Sequence, residues 1–123
     1  MKRLLAICLV AMSVCVSNAM ADWIIFNPTG LTNMNPWGIS GNDITASANY
    51  AGSSKYFLYD GVNWNMLTMP GADNINARGL DGNNMVGFAY INGHQNGFLY
   101  NGTTWTAINK PGATNTWFTD ISG

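Results

Sequence analysis

The chain has 123 residues, enough for one small domain, and only 9% of them are charged. That profile does not suit a disordered chain or a nucleic-acid binder. The formal net charge is −1, and beyond residue 21 only Lys55, Arg78 and Lys110 stand against six aspartates, a balance that disfavours any polyanionic partner.

Residues 1–21 begin with Lys2 and Arg3, continue through an apolar run over 4–16, and end in Ala19-Met20-Ala21. A basic start, an apolar middle and a small-x-small site together predict a cleaved secretory signal. The apolar run is shorter than the roughly 20 residues needed to span a bilayer, so no membrane insertion is expected after cleavage. The expected location is secreted: periplasmic, extracellular or on a cell surface. Cys8 and Cys15 both lie inside this segment, and neither has the neighbours of a lipid-modified cysteine. The remaining chain therefore has no thiol for a disulfide, a zinc site or covalent catalysis.

Beyond the signal, a repeat sets the organisation. Trp23, Trp64 and Trp105 recur every 41 residues, and Gly41, Gly82 and Gly123 share one position. Phe57-Leu58-Tyr59-Asp60-Gly61 falls on Phe98-Leu99-Tyr100-Asn101-Gly102, and Pro70-Gly71-Ala72 falls on Pro111-Gly112-Ala113. Residues 42–82 and 83–123 are identical at 13 of 41 positions with no gap. The chain thus divides into a partial unit, 22–41, and two whole units, 42–82 and 83–123.

Within a unit, runs of β-branched and aromatic residues alternate with turn dipeptides, the pattern of short antiparallel strands. Asp60-Gly61, Asn92-Gly93 and Asn101-Gly102 are pairs suited to positive φ at both centres of a type I′ turn, and each predicts a tight hairpin. The last unit then reads as strands over 85–90, 97–100 and 104–108, a proline-containing loop, and a fourth strand over 117–121. Four strands in about 40 residues is the size of one β-propeller blade. The fold class expected is all-β, with tandem four-stranded antiparallel blades of a propeller-like repeat.

The run Gly79-Leu80-Asp81-Gly82-Asn83-Asn84-Met85-Val86-Gly87, followed by Gly97-Phe98-Leu99-Tyr100-Asn101-Gly102, resembles the HAF repeats of bacterial secreted proteins. The likeness covers essentially all of the chain after the signal. It is to the repeat skeleton, because the naming His-Ala-Phe stands here as Asn96-Gly97-Phe98 and Lys55-Tyr56-Phe57. The resemblance implies an extracellular, propeller-like protein more than any particular activity.

Two and a half units leave a propeller ring incomplete. The half unit would break the period at any junction between copies, which predicts a segment of a longer repeat protein. Alone, the terminal strands would expose unpaired edges, which predicts marginal stability or self-association through them.

Candidate sites divide by whether the repeat keeps them. Trp64 and Trp105, with Trp23, are expected in blade cores, because a residue held at one position in three units is most simply a packing residue. Trp37, by contrast, aligns with Arg78 and Thr119, and Trp117 aligns with Asn76. Positions free to vary on a regular scaffold suit recognition. Trp37, Arg78, Thr119 and Trp117 would offer stacking, a cation and a hydroxyl to a glycan or another surface protein.

Residues 22–123 contain no Glu and one histidine, His94, next to a turn. No Gly-x-Ser-x-Gly elbow occurs, and Ser53-Ser54 aligns with His94-Gln95, so no single unit carries both serine and histidine at this place. Asp60, Asp73 and Asp81 sit at turn-like positions. Asp81-Gly82-Asn83-Asn84 and Gly41-Asn42-Asp43 could offer oxygen to calcium, but Asn and Asp beside Gly are also what a turn selects. No catalytic residue, metal or cofactor is expected. The reading is a non-catalytic structural or interaction segment, with a glycan-binding module as the alternative and an enzyme a distant third.

Overall fold

The computed structural model describes residues 28–123. The signal segment, 1–21, and Trp23 lie outside the described residues. Eight strands form two sheets: β1 (Thr32–Ser40), β2 (Asp43–Tyr50), β3 (Ser53–Tyr59) and β4 (Trp64–Met66), then β5 (Asn74–Asp81), β6 (Asn84–Ile91), β7 (His94–Tyr100) and β8 (Trp105–Ile108). Each sheet is antiparallel, and its strands lie side by side in chain order. The arrangement is two tandem four-stranded blades in an open, unclosed, propeller-like stack. No helix among the described residues is long and apolar enough to cross a membrane.

The turns repeat with the sequence. Gly41 and Gly82 take φ of 58° and 55° in the two-residue links of β1–β2 and β5–β6, with positive φ at the first centre only, as in a type II′ turn. In the β2–β3 and β6–β7 links both centres are positive: Ala51 and Gly52 at 49° and 80°, Asn92 and Gly93 at 52° and 78°. Asn92-Gly93 is thus the expected type I′ turn. Asp60-Gly61 and Asn101-Gly102 are not. Only their glycines have positive φ, and each pair opens a longer loop, 60–63 or 101–104. The reason is a side chain: Oδ1 of Asp60 accepts the backbone N–H of Val62 (2.9 Å) and Asn63 (2.7 Å). Oδ1 of Asn101 does the same for Thr103 and Thr104 at 3.1 and 2.8 Å. An Asx-type loop has replaced the tight hairpin.

The sheets also cut the repeat at a different place from units 42–82 and 83–123. Each sheet opens with the strand before the Gly-Asn turn, so β5 belongs with β6 to β8 rather than closing the first unit. The expected fourth strand over 117–121 is not a strand. It corresponds to β5, the first strand of a sheet, and among the described residues no further hairpin strand pairs with it. It lies along the second sheet instead, where Thr116 N–H donates to the Gln95 carbonyl (2.8 Å) and Phe118 N–H to that of Gly87 (3.3 Å).

The way one sheet carries the next is itself repeated. A Cβ on Gly38 would sit 3.1 Å from the Arg78 carbonyl oxygen and 3.3 Å from the Leu80 nitrogen; one on Gly79 would sit 2.7 Å from Asp120 Cα and 2.8 Å from the Ile121 nitrogen. Glycine at this point of the first strand lets the following repeat's first strand approach backbone to backbone. Of the second sheet's strands, only β5 comes close to the first sheet's backbone, along β1 more than along β2 or β3. The blades therefore meet at their first strands and diverge toward their fourth.

Side chains and the β4–β5 link fill the wedge between the sheets. Tyr56 and Met69 pack against Ile75, Ala77, Leu80, Met85, Ala89 and Phe98, of which Ala77, Met85, Ala89 and Phe98 are fully buried. Phe57, at the position of Phe98, is buried on the opposite face of the first sheet. Trp64 and Trp105 are half-buried. Trp105 stacks on Tyr100 (ring centroids 4.4 Å apart) at the margin of the core, and Trp64 packs against Tyr59 at 5.2 Å. Trp105 thus closes the margin of the core whose centre Phe98 fills, whereas Phe57 and Trp64 pack elsewhere on the first sheet. Tyr59 and Tyr100 hydroxyls donate to the Gly61 and Gly102 carbonyls at 2.9 and 2.7 Å, while Pro70 and Pro111 sit exposed in type II turns closed by Ala72 and Ala113.

Candidate functional site

The non-repeated positions gain their geometry from a bulge in each first strand. In the β1–β2 ladder Pro36 opposes Ala46 and Gly38 opposes Thr45, leaving Trp37 as the extra residue. In β5–β6 Ala77 opposes Gly87 and Gly79 opposes Val86, leaving Arg78. A bulge residue is freed from the strict alternation of the pleat, so its side chain can be re-aimed. Here the re-aiming brings Trp37 and Arg78 together across two sheets: the guanidinium carbon lies 4.2 Å from the Trp37 ring centroid and 5.9 Å from that of Phe88.

Trp37 is anchored from below. Its Nε1–H donates to Ser47 Oγ at 3.0 Å, and Ser47 also hydrogen-bonds the Tyr56 hydroxyl. Burial pushes the Tyr56 phenol above its usual range, an effect that nearby Arg78 opposes, so this hydroxyl is neutral at pH 7. The Arg78 guanidinium meets no carboxylate or other hydrogen-bond acceptor among the described residues. Its neighbours are aromatic rings, which leaves its N–H donors for something else.

Arg78 lines an open cleft of about 350 Å³, together with Phe88, Gln95, Trp117, Phe118 and Thr119. Trp117 and Thr119 are exposed, Trp117 with 56% of its surface free. Gln95 donates from Nε2 to the Tyr90 hydroxyl at 2.8 Å, which fixes the amide and leaves its oxygen available as an acceptor. The cleft thus combines an indole face, a planar cation, an amide oxygen and a hydroxyl, a set suited to an apolar ring that also carries a negatively charged group.

Of the four site residues expected from sequence, Arg78, Thr119 and Trp117 line this cleft. Trp37 does not; it backs Arg78, although 43% of its surface is exposed. Phe88, Gln95 and Phe118 were not foreseen. One signal was present for Phe88, which aligns with Ser47, and both stand next to the bulge residue of their own sheet. His94 lies apart, exposed in a shallow depression with Asn92, Asn96 and Thr114. Among the described residues no group of three or more His, Cys, Asp or Glu is placed to hold a metal ion.

Comparison with protein-family models, with curated proteins and with solved structures gives no match to this chain.

Proposed function

We propose that this is a secreted or cell-surface, non-catalytic repeat scaffold that works by interaction. The observation that carries this reading is the repeated inter-blade contact, in which Gly38 receives β5 and Gly79 receives residues 120–121. Each blade is built to bear another on its face. The basic and apolar leader and the likeness to the HAF skeleton support an extracellular setting. The lack of Glu and Cys beyond residue 21 supports a role without acid–base or thiol chemistry.

Both blades keep large apolar side chains exposed. Ile39, Tyr50 and Met66 are exposed on the first sheet, Ile108 on the second, and Trp117 on the segment that follows it. Such surface favours association. Size-exclusion chromatography with light scattering on the purified chain is expected to show concentration-dependent self-association. A stable monomer at all concentrations, melting cooperatively, would overturn this.

A second reading, glycan binding, is favoured by a separate observation: Arg78, Trp117 and Thr119 converge on one cleft with Trp37 stacked behind. Binding positions then ride on equivalent places in successive repeats, while the repeated skeleton holds them in register.

A further inference from the structure

We propose that the Arg78–Trp117 cleft binds a saccharide residue bearing a single carboxylate, the pyranose ring lying on Trp117 and the carboxylate on the edge of Arg78. This rests on the glycan-binding reading and assigns its ligand class.

The geometry of Arg78 comes first. A guanidinium presents five N–H donors in its plane and none perpendicular to it. The Trp37 and Phe88 ring centroids lie 4.2 and 5.9 Å from its central carbon, and no hydrogen-bond acceptor among the described residues meets its N–H groups, so the in-plane fork is unspent. A planar carboxylate is the group that fork matches bidentately. The Trp37 Nε1–H bond to Ser47 holds the indole beneath Arg78, so the cation is oriented before any ligand arrives and less entropy is lost on binding.

The neighbours of Arg78 select the rest of the ligand. Trp117 offers a broad exposed indole for the apolar face of a sugar ring, while Gln95 and Thr119 offer an acceptor and a hydroxyl at the rim. A volume of about 350 Å³ is at the small end of ligand pockets, about 300–1,000 Å³, which suits a terminal sugar rather than a long buried chain. Charge sets the limit. With three basic side chains against six aspartates after residue 21, the chain's field repels a polyanion but barely opposes one carboxylate within a Debye length, about 8–10 Å, of Arg78.

Isothermal titration of the purified chain tests this with four probes: a short glucuronide-terminated oligosaccharide, the same oligosaccharide with its carboxylate reduced to the alcohol, a polyuronate, and a short peptide with a free C-terminal carboxylate. The glucuronide is expected to bind at least about tenfold more tightly than its neutral twin, with the advantage shrinking as salt is raised, and more tightly per site than the polyuronate. Arg78→Gln should remove the advantage, bringing the glucuronide down to the affinity of its neutral twin. Arg78→Lys should recover it only in part, because the ammonium lacks the planar fork. Trp37→Ala should weaken the carboxylate preference alone, as expected of a positioning residue, whereas Trp117→Ala should weaken both saccharides.

Equal binding of the two oligosaccharides by the unaltered chain would overturn the carboxylate assignment and leave glycan binding standing. Preference for the polyuronate would overturn the single-charge assignment. No saccharide binding at all would overturn the glycan reading with it, as would tighter binding of the peptide. The comparison of neutral and charged probes uses the unaltered chain, so it decides the matter even if a variant fails to fold.

Discussion

Asp60 and Asn101 occupy one repeat position and do one job with different chemistry. Both Oδ1 atoms accept two backbone N–H groups of their own loop, but only Asp60 can be protonated. The N–H donors, Asn63 first, hold the Asp60 carboxyl below the usual carboxylate range. A folded value lower than the unfolded one, about 3.9, stabilises the fold fully above that unfolded value, and the contribution is lost as pH falls through the folded value. Asp60→Asn should therefore flatten part of the acid limb of a stability–pH profile, and keep the loop because Asn101 already builds it. Urea midpoints measured from pH 6 downward check this; parallel profiles for the two proteins would refute it. The same scale explains how Trp37 comes to stand behind Arg78. Its variability across the repeat was visible, but its hydrogen bond to Ser47, ten residues away across a hairpin, was not.

At the scale of elements, the bulges and the first-strand glycines decide where the site forms. Trp37 and Arg78 reach each other because each is the extra residue of a bulge in its strand, and a ladder without these bulges would return both to the ordinary alternation of the pleat. Gly79 then seats residues 120–121, which brings Thr119 and Trp117 to Arg78. Gly79→Ala places a methyl 2.7 Å from Asp120 Cα, a backbone atom that cannot rotate away. The substitution should cost about 1–3 kcal/mol and expose residues 114–123 to protease. An unchanged denaturation midpoint with an unchanged cleavage pattern would show that this segment is not seated on Gly79. The turn chemistry at this scale was partly legible. Asn92-Gly93 announced a type I′ turn correctly, whereas Asp60-Gly61 and Asn101-Gly102 looked the same locally and were diverted by their own side chains.

For the whole molecule, the two blades share one core rather than holding one each. Tyr56 and Met69, from the first sheet and the link after it, pack on Phe98, Met85 and Ala89 of the second, so the blades should unfold together. Phe98→Ala, at a fully buried position, should cost about 3–5 kcal/mol, a large part of a typical total of about 5–15. Probes in the two sheets, Trp64 fluorescence and hydrogen exchange of β6, should report one shared, lowered midpoint. Separate midpoints would mean that the blades fold independently.

What the amino-acid sequence determined by itself was everything that repeats locally: the 41-residue period, the all-β character, the positions of the turns and the recurrence of Phe57, Phe98 and the tryptophans. Strand pleat and turn geometry are set within a few residues, so they can be read without a partner. The tertiary structure decided where a blade begins and which variable residues meet. A tandem period has no intrinsic starting point, since every frame of 41 residues fits the pattern equally well. Only the hydrogen-bond ladders, which join β5 to β6 and leave β4 at an edge, select the frame, and only the close backbone approach at Gly38 and Gly79 carries Trp37, Arg78 and Thr119 from positions 41 residues apart to one place.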